Sequence, residues 1–309
     1  MAEPARRCVI YNPAAGRGLA RRLVERFRST PGFDAELRPT EGPGHGEELA
    51  RVAAVQGFGT VVAAGGDGTV HEVANGVLRA DTPGTVFAVW PVGSANDYAW
   101  ALGWRKGWAH DLAWPAAGTL AADVGRITAP DGRSRYFVNG LGLGFNGAVT
   151  VEARRIRWLR GMPLYGLAFL KAIVRHFDQP LMTVTLDGQA TERPTLALTV
   201  SLGRREGGFL LTPQAKLDDG LFDYLHAGGM WRWELLRYLP RMATGTLPTD
   251  HPKLAVGRCR SVAVRSEKPL RIHLDGEFVC QPEDGLREVT VELLPGRLRV
   301  ETFAPGDGR

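Results

Sequence analysis

Residues 63–72, Ala63-Ala64-Gly65-Gly66-Asp67-Gly68-Thr69-Val70-His71-Glu72, run an apolar strand into three glycines, a carboxylate and a hydroxyl, then into a helical pattern. Glycines at such a turn admit positive φ and let backbone N–H groups approach a ligand closely. The helix start that follows adds unpaired donors and a positive dipole end, so phosphate oxygens are natural occupants. Asp67 would repel phosphate and is better used on a magnesium ion, a hydroxyl or a ribose. The same residues also suit a tight turn with an acidic cap. Two further turns share the small, polar, Gly-rich texture: Tyr11-Asn12-Pro13-Ala14-Ala15-Gly16-Arg17-Gly18 and Pro91-Val92-Gly93-Ser94-Ala95-Asn96-Asp97-Tyr98.

The elements around these turns read as βαβ units, with the apolar period switching repeatedly between two and 3.6. Strands are expected at 8–11, 35–39, 60–64 and 85–90, and helices at 19–28, 46–55 and 70–78. In an open parallel sheet the turns after strand C-termini gather on one edge, where ligands bind. The three Gly-rich turns therefore converge, and Thr40, after the second strand, joins them. Past Ala122 the texture becomes strand-like, at 135–139, 181–187, 195–201, 261–265, 270–274, 288–293 and 297–303. Asp131-Gly132 and Asp187-Gly188 are hairpin signals there. Helical insertions are expected at 148–177 and 231–242. The fold class is a Rossmann-like parallel α/β lobe over residues 1–122, then an antiparallel β-rich sandwich lobe over 123–309. A cleft is expected between them, with the last strand free to pack back on the first lobe.

The second half holds its own chemistry. Asp218-Asp219-Gly220, with Asp223 nearby, reads either as a solvated acidic turn or as an oxygen-rich cation loop. Asp275-Gly276-Glu277 follows a strand and offers two carboxylates as proton acceptors, although Asp-Gly is also common in plain hairpin turns. Gly142-Leu143-Gly144-Phe145-Asn146-Gly147 matches the dinucleotide pattern literally. It lacks an acidic residue about 20 positions on and lies outside the βαβ region, so that role is rejected. No HExxH and no GxxxxGK[ST] occurs, which removes zinc-protease and P-loop readings.

NPAAGRG, GGDGTVHEVANGV, PVGSANDYA, KLDDGLFD from Lys216 and HLDGE from His273, in this order and spacing, resemble the catalytic domain of the diacylglycerol kinase family. That family also includes sphingosine, ceramide and bacterial lipid kinases. The resemblance implies ATP as phosphoryl donor, held by Asn12, Thr40, Gly65, Gly66, Asp67, Gly68, Thr69, Val70, His71, Glu72 and Ser94. It implies a general base at Glu277 first and Asp275 second, with Asp67 organising the site. It implies Mg²⁺, bound structurally by the Asp219 carboxylate and the backbone carbonyls of Lys216 and Leu221. Ser94 replaces the usual Thr and keeps the hydroxyl. Asn146 stands where relatives often carry Asp, which weakens any metal role there. GGDG also occurs in NAD kinases, so a kinase of a soluble substrate is the competing enzyme, and a nucleotide- or lipid-binding regulator without turnover is the competing non-enzyme.

The 309 residues are 44% hydrophobic and 23% charged, which excludes disorder and fibre. Thirty-eight Lys and Arg against 33 Asp and Glu give +5, an excess that favours an anionic ligand or surface without demanding nucleic acid. Cys8, Cys259 and Cys280 are widely spaced and form no CxxC pair, which fits a reducing cytosol. No stretch reaches the length of a spanning helix, so the expected location is cytoplasmic or peripheral at an inner membrane face. Residues 151–180 mix Arg154, Arg155, Arg157, Arg160 and Lys171 with Trp158, Tyr165 and Phe169. Such a segment either lies on anionic lipid headgroups or packs on its own lobe with a solvated basic face; Trp231-Arg232-Trp233 is a second interfacial candidate. The expected partner is a lipid substrate at an anionic membrane, with no nucleic acid, and an edge strand leaves room for a homodimer.

Overall fold

The computed structural model describes residues 6–29, 34–104, 116–156, 158–159 and 161–303. The chain forms two compact units, Met1–Ala122 with Gly296–Arg309, and Asp123–Pro295.

Unit 1 begins β1 (Arg7–Tyr11), α1 (Ala15–Arg28), β2 (Ala35–Pro39), α2 (His45–Val55), β3 (Thr60–Gly65), α3 (Asp67–Ala80), β4 (Val86–Pro91) and α4 (Asp97–Ala101). The four strands pair in parallel in the order β2-β1-β3-β4. The fully buried run TVVAAG of β3 takes the centre, as expected of a strand covered on both faces. From β1 the chain steps to one side for β2 and to the other for β3, so the crevice at the C-termini of β1 and β3 is a topological switch point. On one face Leu23, Val24 and Phe27 of α1 pack on Val9, Val62, Ala88 and Trp90, with Phe27 edge-on to Trp90 at 4.2 Å. Helices α2 and α3 cross closely because Gly76 has no side chain; a Cβ there would overlap Glu47 O and Ala50. The C-terminal part of β18 (Glu288–Phe303) returns parallel to β4 through Val300 and Phe87. A continuous strand thus replaces the two expected at its ends.

Unit 2 contains a six-stranded antiparallel sheet in the order β14 (Leu254–Cys259), β13 (Phe222–Ala227), β10 (Ala197–Ser201), β7 (Gly140–Gly144), β16 (Ile272–Leu274) and β17 (Glu277–Cys280). A second antiparallel set joins β15 (Ser261–Ser266) to β18 and to β8 (Leu181–Leu186), which turns into β9 (Gln189–Pro194). Asp187 and Gly188 make that turn with φ of 45° and 84°, as the hairpin signal requires. The first expected insertion resolves into two helices, α5 (Phe145–Arg155) and α6 (Gly161–Arg175). The second is a 3₁₀ turn, Arg232–Arg237, followed by α7 (Leu239–Thr244). Phe145, Ala148, Phe169, Ala172 and Ile173 lay both long helices on Leu196, Ala197, Leu225 and Ala227 of the sheet.

The helix pair is tied by one buried carboxylate. Glu152, its side chain fully enclosed, accepts from Arg155 at 2.9 Å and Arg175 at 3.1 Å, with His176 Nε2 at 3.1 Å. Burial alone would raise its pKa, but the His176 hydrogen bond and the two guanidinium charges outweigh that and lower it. A depressed folded-state pKa stabilises the fold above the ordinary value of 4.5, and that contribution disappears as pH falls below it. Glu152→Gln should therefore cost about 1–2 kcal/mol at neutral pH, discounted because both arginines remain half-exposed. Urea unfolding at pH 7 and pH 3.5 measures this: the difference between wild type and variant should shrink at the lower pH.

Candidate active site

In unit 1 the expected turns do converge. Asn12 N–H donates to Ala64 O at 3.1 Å, joining the turn after β1 to the end of β3. Its side-chain Oδ1 accepts from Ala14 N–H at 2.9 Å. The chain then passes through three left-handed residues, Gly16, Arg17 and Gly18, before helical geometry begins at Leu19. A Cβ on Gly16 would sit 2.7 Å from Val92 O, so this turn abuts the one after β4. Thr40 N–H reaches Tyr11 O at 2.9 Å, which brings the end of β2 alongside.

The tightest contact is between the second and third turns. Val92 N–H donates to Gly65 O at 2.9 Å, and beyond it the backbones of Gly66 and Gly93 touch. Asp67 closes the join: Oδ2 accepts from Asn96 N–H at 2.9 Å and Oδ1 from Asp97 N–H at 2.8 Å. Charge-assisted bonds of this kind contribute about 1.5–3 kcal/mol each. Asn96, left-handed at φ 53°, completes the turn by pairing its carboxamide with Gly93 N–H and O at 2.9 and 3.0 Å. Ser94 stands exposed at the tip. Gly65 exists for Thr69, whose Oγ1 occupies the space a Cβ would need. Glu72 reaches out of α3 and accepts from Gly44 N–H at 2.7 Å and Gly46 N–H at 2.9 Å, pinning the turn that leads into α2. Val70 and His71 are buried in α3 rather than turned outward.

In unit 2 the two carboxylates of the β16–β17 turn differ sharply. Asp275, buried and at φ 51°, accepts from Val138, Asn139 and Gly140 N–H at 3.2, 2.8 and 3.0 Å. Glu277 is half-exposed and meets Arg154 Nη2 at 2.6 Å; the same nitrogen donates to Gly276 O at 3.1 Å, and the guanidinium lies over Phe278.

The acidic loop gains a partner that the pattern did not reveal. Asp123, buried in β5 (Ala116–Thr128), donates its N–H to Leu217 O at 2.7 Å and accepts from Gly220 N–H at 2.7 Å, bracing residues 216–221. Both carboxylate oxygens of Asp219 are buried and accept no hydrogen bond, and so is Oδ2 of Asp223. Arg258 stands 3.5 Å from each of these acids. Burial pushes the Asp223 carboxyl above the ordinary range; Arg258 opposes the shift and Asp219 adds to it. Three buried carboxylate oxygens facing one guanidinium leave negative charge uncompensated, so they fit a hard cation. Among the described residues no three His, Cys, Asp or Glu side chains cluster as a metal site. Asp219, in the loop of residues 216–221, carries two of those buried oxygens.

The literal dinucleotide motif has a packing explanation. Gly142 is required because a Cβ would overlap the His273 ring, and Gly144, at φ 79°, lies against Leu196 O. Asn146 donates to Thr199 Oγ1 at 2.6 Å and Glu206 Oε2 at 3.3 Å. His273 Nε2 stands 3.0 Å from Glu206 Oε1, out of line for a hydrogen bond.

Resemblance to known proteins spans nearly the whole chain. Residues 6–127 match the diacylglycerol kinase catalytic domain, and residues 140–302 match the YegS C-terminal NAD kinase beta sandwich-like domain. The chain is 32% identical over 309 residues to the "Probable lipid kinase YegS-like" of Stenotrophomonas maltophilia, covering 97% of this chain and 96% of that one. It is 28% identical over 280 residues to a diacylglycerol kinase of Bacillus subtilis, covering 87% and 89%. A solved diacylglycerol kinase from Bacillus anthracis superposes with a TM-score of 0.69 over 98% of this chain and 99% of the other, at 19% identity. The chain belongs to the diacylglycerol kinase and YegS-like lipid kinase family.

The Gly66–Gly93 contact makes a direct prediction. Gly93→Ala must part the two turns and should lower stability by about 1–3 kcal/mol, whereas Gly118→Ala, with open space around it, should change it by less than about 0.5 kcal/mol. Urea denaturation of both variants is the measurement.

Proposed function

We propose that this protein is an ATP-dependent lipid kinase that moves the γ-phosphoryl group onto a primary hydroxyl of a diacylglycerol-like or sphingoid-like lipid at an anionic membrane. In this reading residues 1–122 form the nucleotide-binding domain, joined by the returning residues 296–309 of unit 1, and residues 123–295 form the lipid-substrate domain. The observation that carries it is the Asp67-clamped convergence of Gly-rich turns at the sheet's switch point, where open-sheet proteins bind phosphates. Asn12, Thr40, the Gly65–Thr69 turn, Glu72 and Ser94 belong to the nucleotide site, and Val70 and His71 support it from inside α3. Asp67 acts there as a positioning residue, because both its oxygens already hold backbone N–H groups of the Pro91–Asp97 turn.

Transfer forms a P–O bond to the lipid oxygen and breaks the bond between the γ-phosphorus and the β–γ bridging oxygen, releasing ADP. The lipid hydroxyl gives its proton to a carboxylate. Glu277 fits that task better than Asp275, since three amides occupy the oxygens of Asp275 while Glu277 has one flexible cationic partner. Positioning dominates such reactions, and the loose transition state needs the proton removed late. Mg²⁺ in the Lys216–Leu221 loop would neutralise Asp219 and hold that loop; it is given a structural task only.

Transfer of radiolabelled γ-phosphate into a total lipid extract, resolved by chromatography, tests the reading. A labelled lipid is expected, and Glu277→Gln should lower kcat by about 10²–10⁴-fold with Asp275→Asn losing thermal stability as well. No labelled lipid, or label only in soluble products, would refute it. The cation loop has its own check: about 10 mM magnesium should raise the Tm of the wild type by about 3 °C or more and leave Asp219→Asn unmoved.

A further inference from the structure

Nine large hydrophobic side chains stand exposed among the described residues, and seven of them lie in two short stretches of unit 2: Trp158, Met162, Leu170 and Val174, then Trp231, Trp233 and Leu236. Trp231 is 80% exposed, Trp158 71%, Trp233 64% and Val174 58%. Concentration of this kind marks an interaction surface rather than scattered surface residues.

The two stretches are neighbours. Arg232 Nη1 donates to Val174 O at 3.4 Å, and its guanidinium lies 5.5 Å from the Phe177 ring centroid. Gln179 binds Met230 from both ends of its carboxamide, at 2.8 and 3.0 Å. Helix α6 buries Phe169, Ala172 and Ile173 in the core and turns Leu170 and Val174, one turn apart, outward. The 3₁₀ turn behaves alike: Leu235 is buried while Trp233 and Leu236 face out.

Charge selects the occupant. Lys171, Arg232, Arg237 and Arg241 lie in these stretches and in α7 just beyond, where one acid, Glu234, occurs; Arg175 is held by Glu152. Glu234 is itself engaged, accepting from Lys253 Nζ at 2.7 Å and Trp231 N–H at 3.1 Å. A second copy of this chain in a two-fold contact would set these cations against their own equivalents. An anionic bilayer surface instead complements the cations, and indole rings favour the headgroup level, where one edge is apolar and the other wet. Arg154 and Arg155, for which the sequence left lipid contact and packing on their own lobe both open, are held by Glu277 and Glu152. Arg157 lies outside the described residues.

We infer that Trp231, Trp233 and the outer face of α6 form an aromatic anchor that docks this protein on anionic phospholipid membranes. The inference rests on the lipid-kinase reading for its purpose, but the two fail separately, because vesicle binding needs no turnover and a dissolved short-chain diacylglycerol needs no docking. The experiment is co-sedimentation of the full chain with phosphatidylglycerol–phosphatidylcholine vesicles and with pure phosphatidylcholine vesicles. Wild type should prefer the anionic vesicles, and Trp231→Ala with Trp233→Ala should weaken binding about tenfold or more, with far-UV circular dichroism and any turnover of dissolved dioctanoylglycerol unchanged. Equal vesicle affinity of the double variant would overturn the inference. So would absence of wild-type vesicle binding together with a dimer, in sedimentation velocity, that the same substitutions dissociate.

Discussion

Unit 1 depends on two peptide backbones lying closer than any side chain permits. Parallel strands β3 and β4 continue their pairing one step past their ends, through Val92 N–H and Gly65 O, and this drives Gly66 onto Gly93. Such a contact strips water from peptide groups, so the amides just beyond must find partners in the protein. Asp67 meets that demand at once, taking two consecutive N–H groups with its two oxygens. The aspartate between the glycines is therefore part of the same constraint: the glycines allow the approach and the carboxylate holds it. Ser94, at the tip, is presented by a turn fastened at both ends.

The same device recurs in unit 2. Asp275 binds three successive amides at Val138–Gly140, and Asp123 braces the loop at Gly220. The acids thus divide by what their lone pairs do. Asp67, Asp123 and Asp275 hold backbone, whereas Glu277 is half-exposed with one guanidinium and Asp219 has buried oxygens without a donor. Residue type alone cannot make this division, since Asp-Gly-Glu and Gly-Gly-Asp-Gly look equally catalytic on paper. Hydrogen-bond occupancy makes it, and it keeps Glu277 ahead of Asp275 as the proton acceptor.

What was legible in the sequence follows from how local each signal is. The βαβ strands and the three Gly-rich turns of unit 1 were readable because burial on both faces and small-residue turns leave continuous marks. The central strand Gly140–Gly144 was not, because GLGLG has only two apolar side chains and its glycines answer to distant groups, the His273 ring and Leu196 O. Strands Phe222–Ala227 and Leu254–Cys259 were missed for a related reason: Asp223, His226 and Arg258 break the apolar alternation while making tertiary contacts. Asp123 and Arg258 acquire meaning only when strands far apart in sequence bring them to the acidic loop. The six-residue α7 and its 3₁₀ neighbour were blurred into one helix, as expected where Pro240 sits near a helix start.

The surplus of positive charge shows why composition points to a class of surface but not to a place on it. Residues 151–180 are rich in arginine, yet a cation whose partner is an internal carboxylate adds little field outside. Arg154 and Arg155 are partnered in this way, by Glu277 and by the enclosed Glu152. Burying Glu152 would be costly alone, and the arginines and His176 are what make it tolerable. The consequence reaches the surface: with charges drawn inward, α6 keeps an outer face of leucine and valine, and Arg232 and Arg237 lie beside Trp231 and Trp233. Any attraction to an anionic bilayer then has to be strongest where indole and guanidinium stand together, since that is where apolar burial and charge neutralisation act on one patch.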